Sequence, residues 1–196
     1  MLNINEIKTI DRLAQYAHMQ IFDVEDFRYD RLDNALKKHG IDVRWVISDN
    51  NINGYLRYDN STQCPVIAVS VNDILSSWVQ RRFVMAYELG SLIVKYDWHI
   101  DDFTHNQQLN LGKSDFLDIC GATKESEKED KTKQLNEFAY SFLIPNCKLK
   151  PIIDNAIKNN ISGEELVNDV AIRFDTSTAT SQAKIISYLK NIHHAK

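Results

Sequence analysis

The stretch that most constrains the fold is WVQRRFVMAYELGSLIVKYD, Trp78 to Asp97. Leu75, Trp78, Val79, Met85, Ala86, Leu89, Leu92, Ile93 and Tyr96 recur at steps of three and four, which lines one face of a helix. A helix this apolar has to be covered, so the rest of the chain must supply the cover. Asn72 and Asp73 precede it, where a side-chain oxygen can accept from the free amides of the first turn. At its centre stands Tyr87-Glu88-Leu89-Gly90-Ser91.

A zinc peptidase helix carries His-Glu-x-x-His. Two imidazoles at i and i+4 share a face and hold the metal, and the glutamate activates its bound water. Here the two His positions are filled by Tyr87 and Ser91, and only Glu88 is kept. A phenol and a serine hydroxyl are poor zinc ligands.

The frame Arg81-Arg82-Phe83-Val84-Met85-Ala86-Tyr87-Glu88-Leu89-Gly90-Ser91-Leu92-Ile93 resembles the motif helix of the ImmA/IrrE zinc metallopeptidases, R-x-R-F-T-L-A-H-E-L-G-H-L-L. Later, Leu135-Asn136-Glu137-Phe138-Ala139-Tyr140-Ser141-Phe142-Leu143-Ile144-Pro145 resembles that family's second signature, E-x-x-A-N-x-F-A-x-x-L-L-M-P. Its leading glutamate, the third ligand, falls on Thr132 in this chain, with Glu129 one turn earlier as the alternative register. The resemblance, over residues 41–189, implies a degenerate member without metal ligands. It implies an α+β, zincin-like fold: a small three-stranded antiparallel sheet, a central motif helix and a C-terminal helical bundle. No metal or cofactor is expected, and Glu88 is vestigial.

Around that centre the chain is read as follows. Ile4, Ile7, Ile10, Leu13, Ala14 and Ala17 predict an amphipathic first helix. A second helix is expected over Val24 to His39, ended by Gly40. Ile41, Val43, Trp45 and Ile47 alternate with Asp42, Arg44, Val46 and Ser48 as in a half-buried strand. Tyr55 to Tyr58 and Pro65 to Val71 predict two more strands, and helices are expected over Lys148 to Asn159, Gly163 to Phe174 and Ser177 to Ile192. The predicted organisation is an N-terminal helical extension over 1–40, a peptidase-like core over 41–146, and C-terminal helices of the same domain over 147–196.

Composition narrows the function classes. A net charge of −4 gives no basic field for nucleic acid. No apolar run approaches the roughly 18 residues of a membrane span. The opening MLNINEIKTIDRL lacks the pattern of a signal peptide, and Cys64, Cys120 and Cys147 form no CxxC pair. The expectation is a cytoplasmic chain with reduced thiols.

Four functional readings compete. Asp97, His99, Asp101, Asp102 and His105 offer carboxylate and imidazole as a relocated metal site. Ser91 could serve as nucleophile of a metal-independent hydrolase, but no base lies beside it. Leu166, Val170, Ala171 and Phe174, then Ser177 and Ile185, have the cadence of a helix-turn-helix, although its second helix offers only Lys184 and Lys190 to phosphates. The leading expectation is non-covalent capture of a protein partner, which the resemblance suggests is a helix-turn-helix repressor of a phage or mobile element. The expected groove lies between the third strand and the motif helix, with Ile67, Val69, Val71, Tyr87, Glu88 and Ser91 along it and strand addition on the third strand.

Overall fold

A computed structural model of the protein describes residues 3–22, 32–47, 53–71, 77–102, 106 and 125–193. They form an α+β fold of seven helices and a three-stranded sheet.

Helix α1 (Ile4–Ile21) opens with a capping box: the Asn3 side chain accepts from the Asn5 and Glu6 amides, and Glu6 reaches back to the Asn3 amide. Its buried Ile10, Ala14 and Ala17 are short enough to let it lie close along α4 (Glu125–Leu143). Helix α2 (Leu32–Lys38) stops at Gly40, whose φ of 74° needs no Cβ. The earlier part of the helix expected there, from Val24 to Arg31, lies outside the described residues.

Strands β1 (Asp42–Val46), β2 (Gly54–Asp59) and β3 (Cys64–Ser70) stand in the order β1-β3-β2. A tight turn joins β2 to β3 as an antiparallel hairpin, while β1 runs parallel to β3 with Val43 opposite Ile67. The sheet is therefore mixed, correcting the all-antiparallel expectation. β3 lies between its neighbours, and Arg44 of β1 reaches across it to Asp59 of β2 at 2.6 Å.

Helix α3 (Trp78–Tyr96) is the predicted motif helix. Ser77, rather than Asn72 or Asp73, caps it, with its side chain accepting from the Gln80 amide at 3.2 Å. Asp97 ends it in the left-handed region. After α4 come α5 (Asn146–Lys158), α6 (Gly163–Phe174) and α7 (Thr178–His193). Pro145 separates α4 from α5, as the sequence suggests. Ser162 and Glu165 make a second capping box at α6, and Ser177 Oγ accepts from the Thr180 amide at the start of α7.

One hydrophobic cluster takes side chains from both ends of the chain. Ala14 of α1, Leu36 of α2, Ile67 of β3, Leu89 of α3, Phe138 of α4 and Phe174 of α6 all belong to it. Among the described residues, no helix is long and apolar enough to cross a membrane.

Candidate functional site: the seam around Glu88

Two glycines bring α3 close to its neighbours. A Cβ at Gly90 would stand 2.7 Å from the Phe138 ring, so α3 and α4 approach more closely there than any larger residue allows. A Cβ at Gly54 would meet Val84 Cγ1 at 2.4 Å and the Ala68 carbonyl at 2.9 Å, with Glu88 Cγ 3.9 Å away. The first residue of β2 is thus pressed against the turn of α3 that carries Glu88.

Glu88 is only 6% exposed. Burial raises its pKa to about 7, with the Lys95 charge two turns along opposing the rise. Burial in turn lowers the pKa of Lys95, against the pull of Glu88. Tyr87, half-buried on the same turn, is hydrogen-bonded to Thr132 of α4. Burial raises the phenol's pKa while that bond lowers it. Ser91 faces the interior at 1% exposure, and its Oγ has no hydrogen-bond partner among the described residues.

The structure therefore brings Tyr87 and Thr132 into contact across the α3–α4 seam, with Glu88 buried next in sequence. These residues do not fit a zinc ion. Tyr87 and Thr132 are hydrogen-bonded across the seam, neither is a usual zinc ligand, and Ser91, at the remaining position, is sealed in the core. Glu129, the alternative register, has a side chain outside the described residues.

The expected groove residues divide. Ile67 and Val69 are fully buried on the sheet face that meets α3, and Val71 just beyond β3 is half-buried. β3 is hydrogen-bonded on both sides, so it has no edge to offer an added strand, and that expectation is corrected. In the sheet of the described residues the outer edges belong to β1 and β2. The β2 edge starts at Gly54, against Glu88.

The aspartate and histidine cluster after α3 disperses into other contacts. Asp97 Oδ1 lies 3.3 Å from His99 Nε2, and Asp101 accepts from the Tyr16 hydroxyl. His105 lies outside the described residues. Among the described residues no group of three His, Cys, Asp or Glu side chains could hold a metal.

The C-terminal helix pair differs from the helix-turn-helix reading in one decisive residue. Lys184 is fully buried and donates to Asp11 Oδ1 and Ser141 Oγ, each at 2.7 Å, so it cannot reach a phosphate. Asn146 and Gln15 both donate to the second Asp11 oxygen at 2.6 Å. Ser187 Oγ donates to the buried Glu137 at 2.7 Å. The sequence counts Lys184 among the cations of the second helix. Its step with Ser181, Ile185 and Tyr188, all buried, was the signal that it points inward. The α6–α7 turn is held from α3 by the fully buried Arg82, whose Nη1 donates to the Asp175 carbonyl at 2.6 Å and to Asp175 Oδ2 at 2.9 Å.

No family model matches the chain, and no curated protein matches it. Among solved structures it is similar to a Mycobacterium tuberculosis transcriptional regulator, with a TM-score of 0.54 and 20% identity. The match covers 91% of this chain and 46% of that one, so the chain spans less than half of the other protein's length. At this identity the likeness speaks for the fold alone.

Proposed function

We propose that the chain is a cytoplasmic regulatory protein with a zincin-like fold, a degenerate relative of the ImmA/IrrE peptidases that binds a protein partner without cleaving it. The observation that carries this reading is the fate of the metal positions. Tyr87 is hydrogen-bonded to Thr132, Ser91 is sealed in the core, and Glu88 is left as a buried acid with no metal-bound water to activate. The partner class, a helix-turn-helix repressor, comes from the resemblance, and the regulator named among similar structures supports a regulatory role. The outer edge of β2, beside Glu88, is where an extended partner segment would add as a strand. Direct DNA contact through α6 and α7 is disfavoured, because burial removes Lys184 from the phosphate-binding set.

The test is recovery of bound protein from host lysate on the full chain and on Glu88→Gln, with the intact mass of each captured species measured. The proposal expects the same uncleaved partner on both. Partner fragments that disappear with Glu88→Gln would make the chain an enzyme and end this reading.

A further inference from the structure

Two hollows of about 540 Å³ each lie along α1 and share Leu13 and Val94 in their walls. Together they form one groove between α1 and the C-terminal end of α3, and neither includes a residue of the Glu88 seam. Leu13, Tyr16 and Met19 continue the apolar surface outward at 39%, 42% and 59% exposure. Their i, i+3, i+6 spacing places them in a row on one face of α1. Single exposed leucines are ordinary, but a row of large apolar side chains beside a groove marks a docking surface.

The two ends of the groove differ in charge. One is walled by Asn3, Asn5 and Thr9 with a single carboxylate, Glu6. At the other, Trp98 and Ile100 stand among three, Asp97, Asp101 and Asp102, with His99 beside Asp97 and the Tyr16 hydroxyl donating to Asp101. We infer that this groove receives an amphipathic helix from a partner protein, with its apolar stripe on Leu13 and Val94 and its basic residues at the aspartate end. Helix α1 has 18 residues, about 27 Å at the usual rise, so a groove along it suits a helix of several turns better than a compact ligand. Charge complementarity sets the direction: three carboxylates gathered at one end favour lysine or arginine there and disfavour the reversed helix. The same aspartates that failed as a metal set thereby gain a role. The inference stands apart from the proposed function, since the Glu88 cleft could be empty while this groove is used.

The probe is a pair of labelled helical peptides of about sixteen residues with the same leucine stripe. One carries lysines at one end and the other carries glutamates there. Fluorescence anisotropy with the full chain should show the lysine peptide binding at least about tenfold tighter, a gap of about 1.4 kcal/mol, at low salt. Leu13→Glu and Met19→Glu, both at exposed positions, should each weaken it about tenfold with the thermal melt unchanged. If one of them fails to fold, the other carries the test. The pair Asp97→Asn and Asp102→Asn should erase the preference for lysine over glutamate. Peptide binding reads this groove alone, whereas the proposed function is read from the integrity of a captured partner, so failure of one is distinguishable from failure of the other. Equal binding of the two peptides, or indifference to both glutamate variants, would overturn the inference. So would concentration-dependent dimerisation that Leu13→Glu abolishes, because the occupant would then be a second copy of the chain.

Discussion

Two of the places where the described residues bury ionisable groups treat them in opposite ways. Between α1, α4 and α7, the Lys184 ammonium and the Asp11 carboxylate meet at 2.7 Å, and Ser141, Asn146 and Gln15 take up further hydrogen-bonding capacity. Against the sheet, Glu88 is buried to a similar degree with the Lys95 charge two turns away, and Ser91 Oγ has no partner among the described residues. The first arrangement ties together helices distant in sequence. The second is the arrangement that the proposed function reads as a catalytic frame without its ligands. Folding tolerates the second because a carboxyl group can neutralise itself by taking up a proton, whereas an orphaned buried charge cannot be left standing.

The comparison breaks most visibly at the ion pair. Lys184→Met should cost about 3–5 kcal/mol, because Asp11 is left charged and buried without its cation. Adding Asp11→Leu should return much of that, since an apolar pair of similar volume can replace a buried ion pair. Urea unfolding of the two variants measures both steps.

Glu88→Gln should act in the other direction, and only over part of the pH range. The folded pKa of about 7 lies above the ordinary 4.5, so the unfolded chain ionises first as pH rises. Wild-type stability from this group is therefore full below about 4.5 and is lost as the pH rises through about 7. The glutamine variant has no such loss. Relative to wild type it should gain about 3 kcal/mol between these limits, read from unfolding curves at pH 4 and pH 8.

Gly54→Ala probes how tightly β2 is pressed on Glu88. Its Cβ would stand 2.4 Å from Val84 Cγ1 and 2.9 Å from the Ala68 carbonyl, and only the valine can yield. A loss of about 1–3 kcal/mol is expected in the thermal melt.

The smallest effect separates two serines. Ser141→Ala takes a hydrogen bond from Lys184 and should cost about 1–2 kcal/mol. Ser91→Ala removes a hydroxyl that bonds to nothing among the described residues, so its melt should stay within about 0.5 kcal/mol of wild type or rise. Equal losses at the two positions would mean that Ser91 has a partner after all.

What was legible in the sequence follows from the range of each signal. The motif helix, the α6 helix and the break at Pro145 depend on spacing within a few residues, and the structure places them where the sequence predicts. The three strands could each be seen by alternation or β-branched content, but their order could not. Insertion of β3 between β1 and β2 is decided by pairing between distant residues, such as Val43 with Ile67. The same limit hid the ion pair: Asp11 and Lys184 are 173 positions apart, and neither sequence context names the other. At the candidate site the absence of the two histidines of the resembled motif could be read directly from Tyr87 and Ser91. Their different fates, one at the seam with Thr132 and one sealed in the core, needed the packing of α4 against Gly90.

The central claim is that Glu88 is a buried acid without a metal. The direct measurement is a pH titration of its side-chain carboxyl by carbon NMR, assigned by difference with Glu88→Gln and repeated with one equivalent of zinc. The account predicts a midpoint near 7 that zinc leaves unmoved. A midpoint near 4.5, or a zinc-dependent shift in the Glu88 resonance, would contradict it.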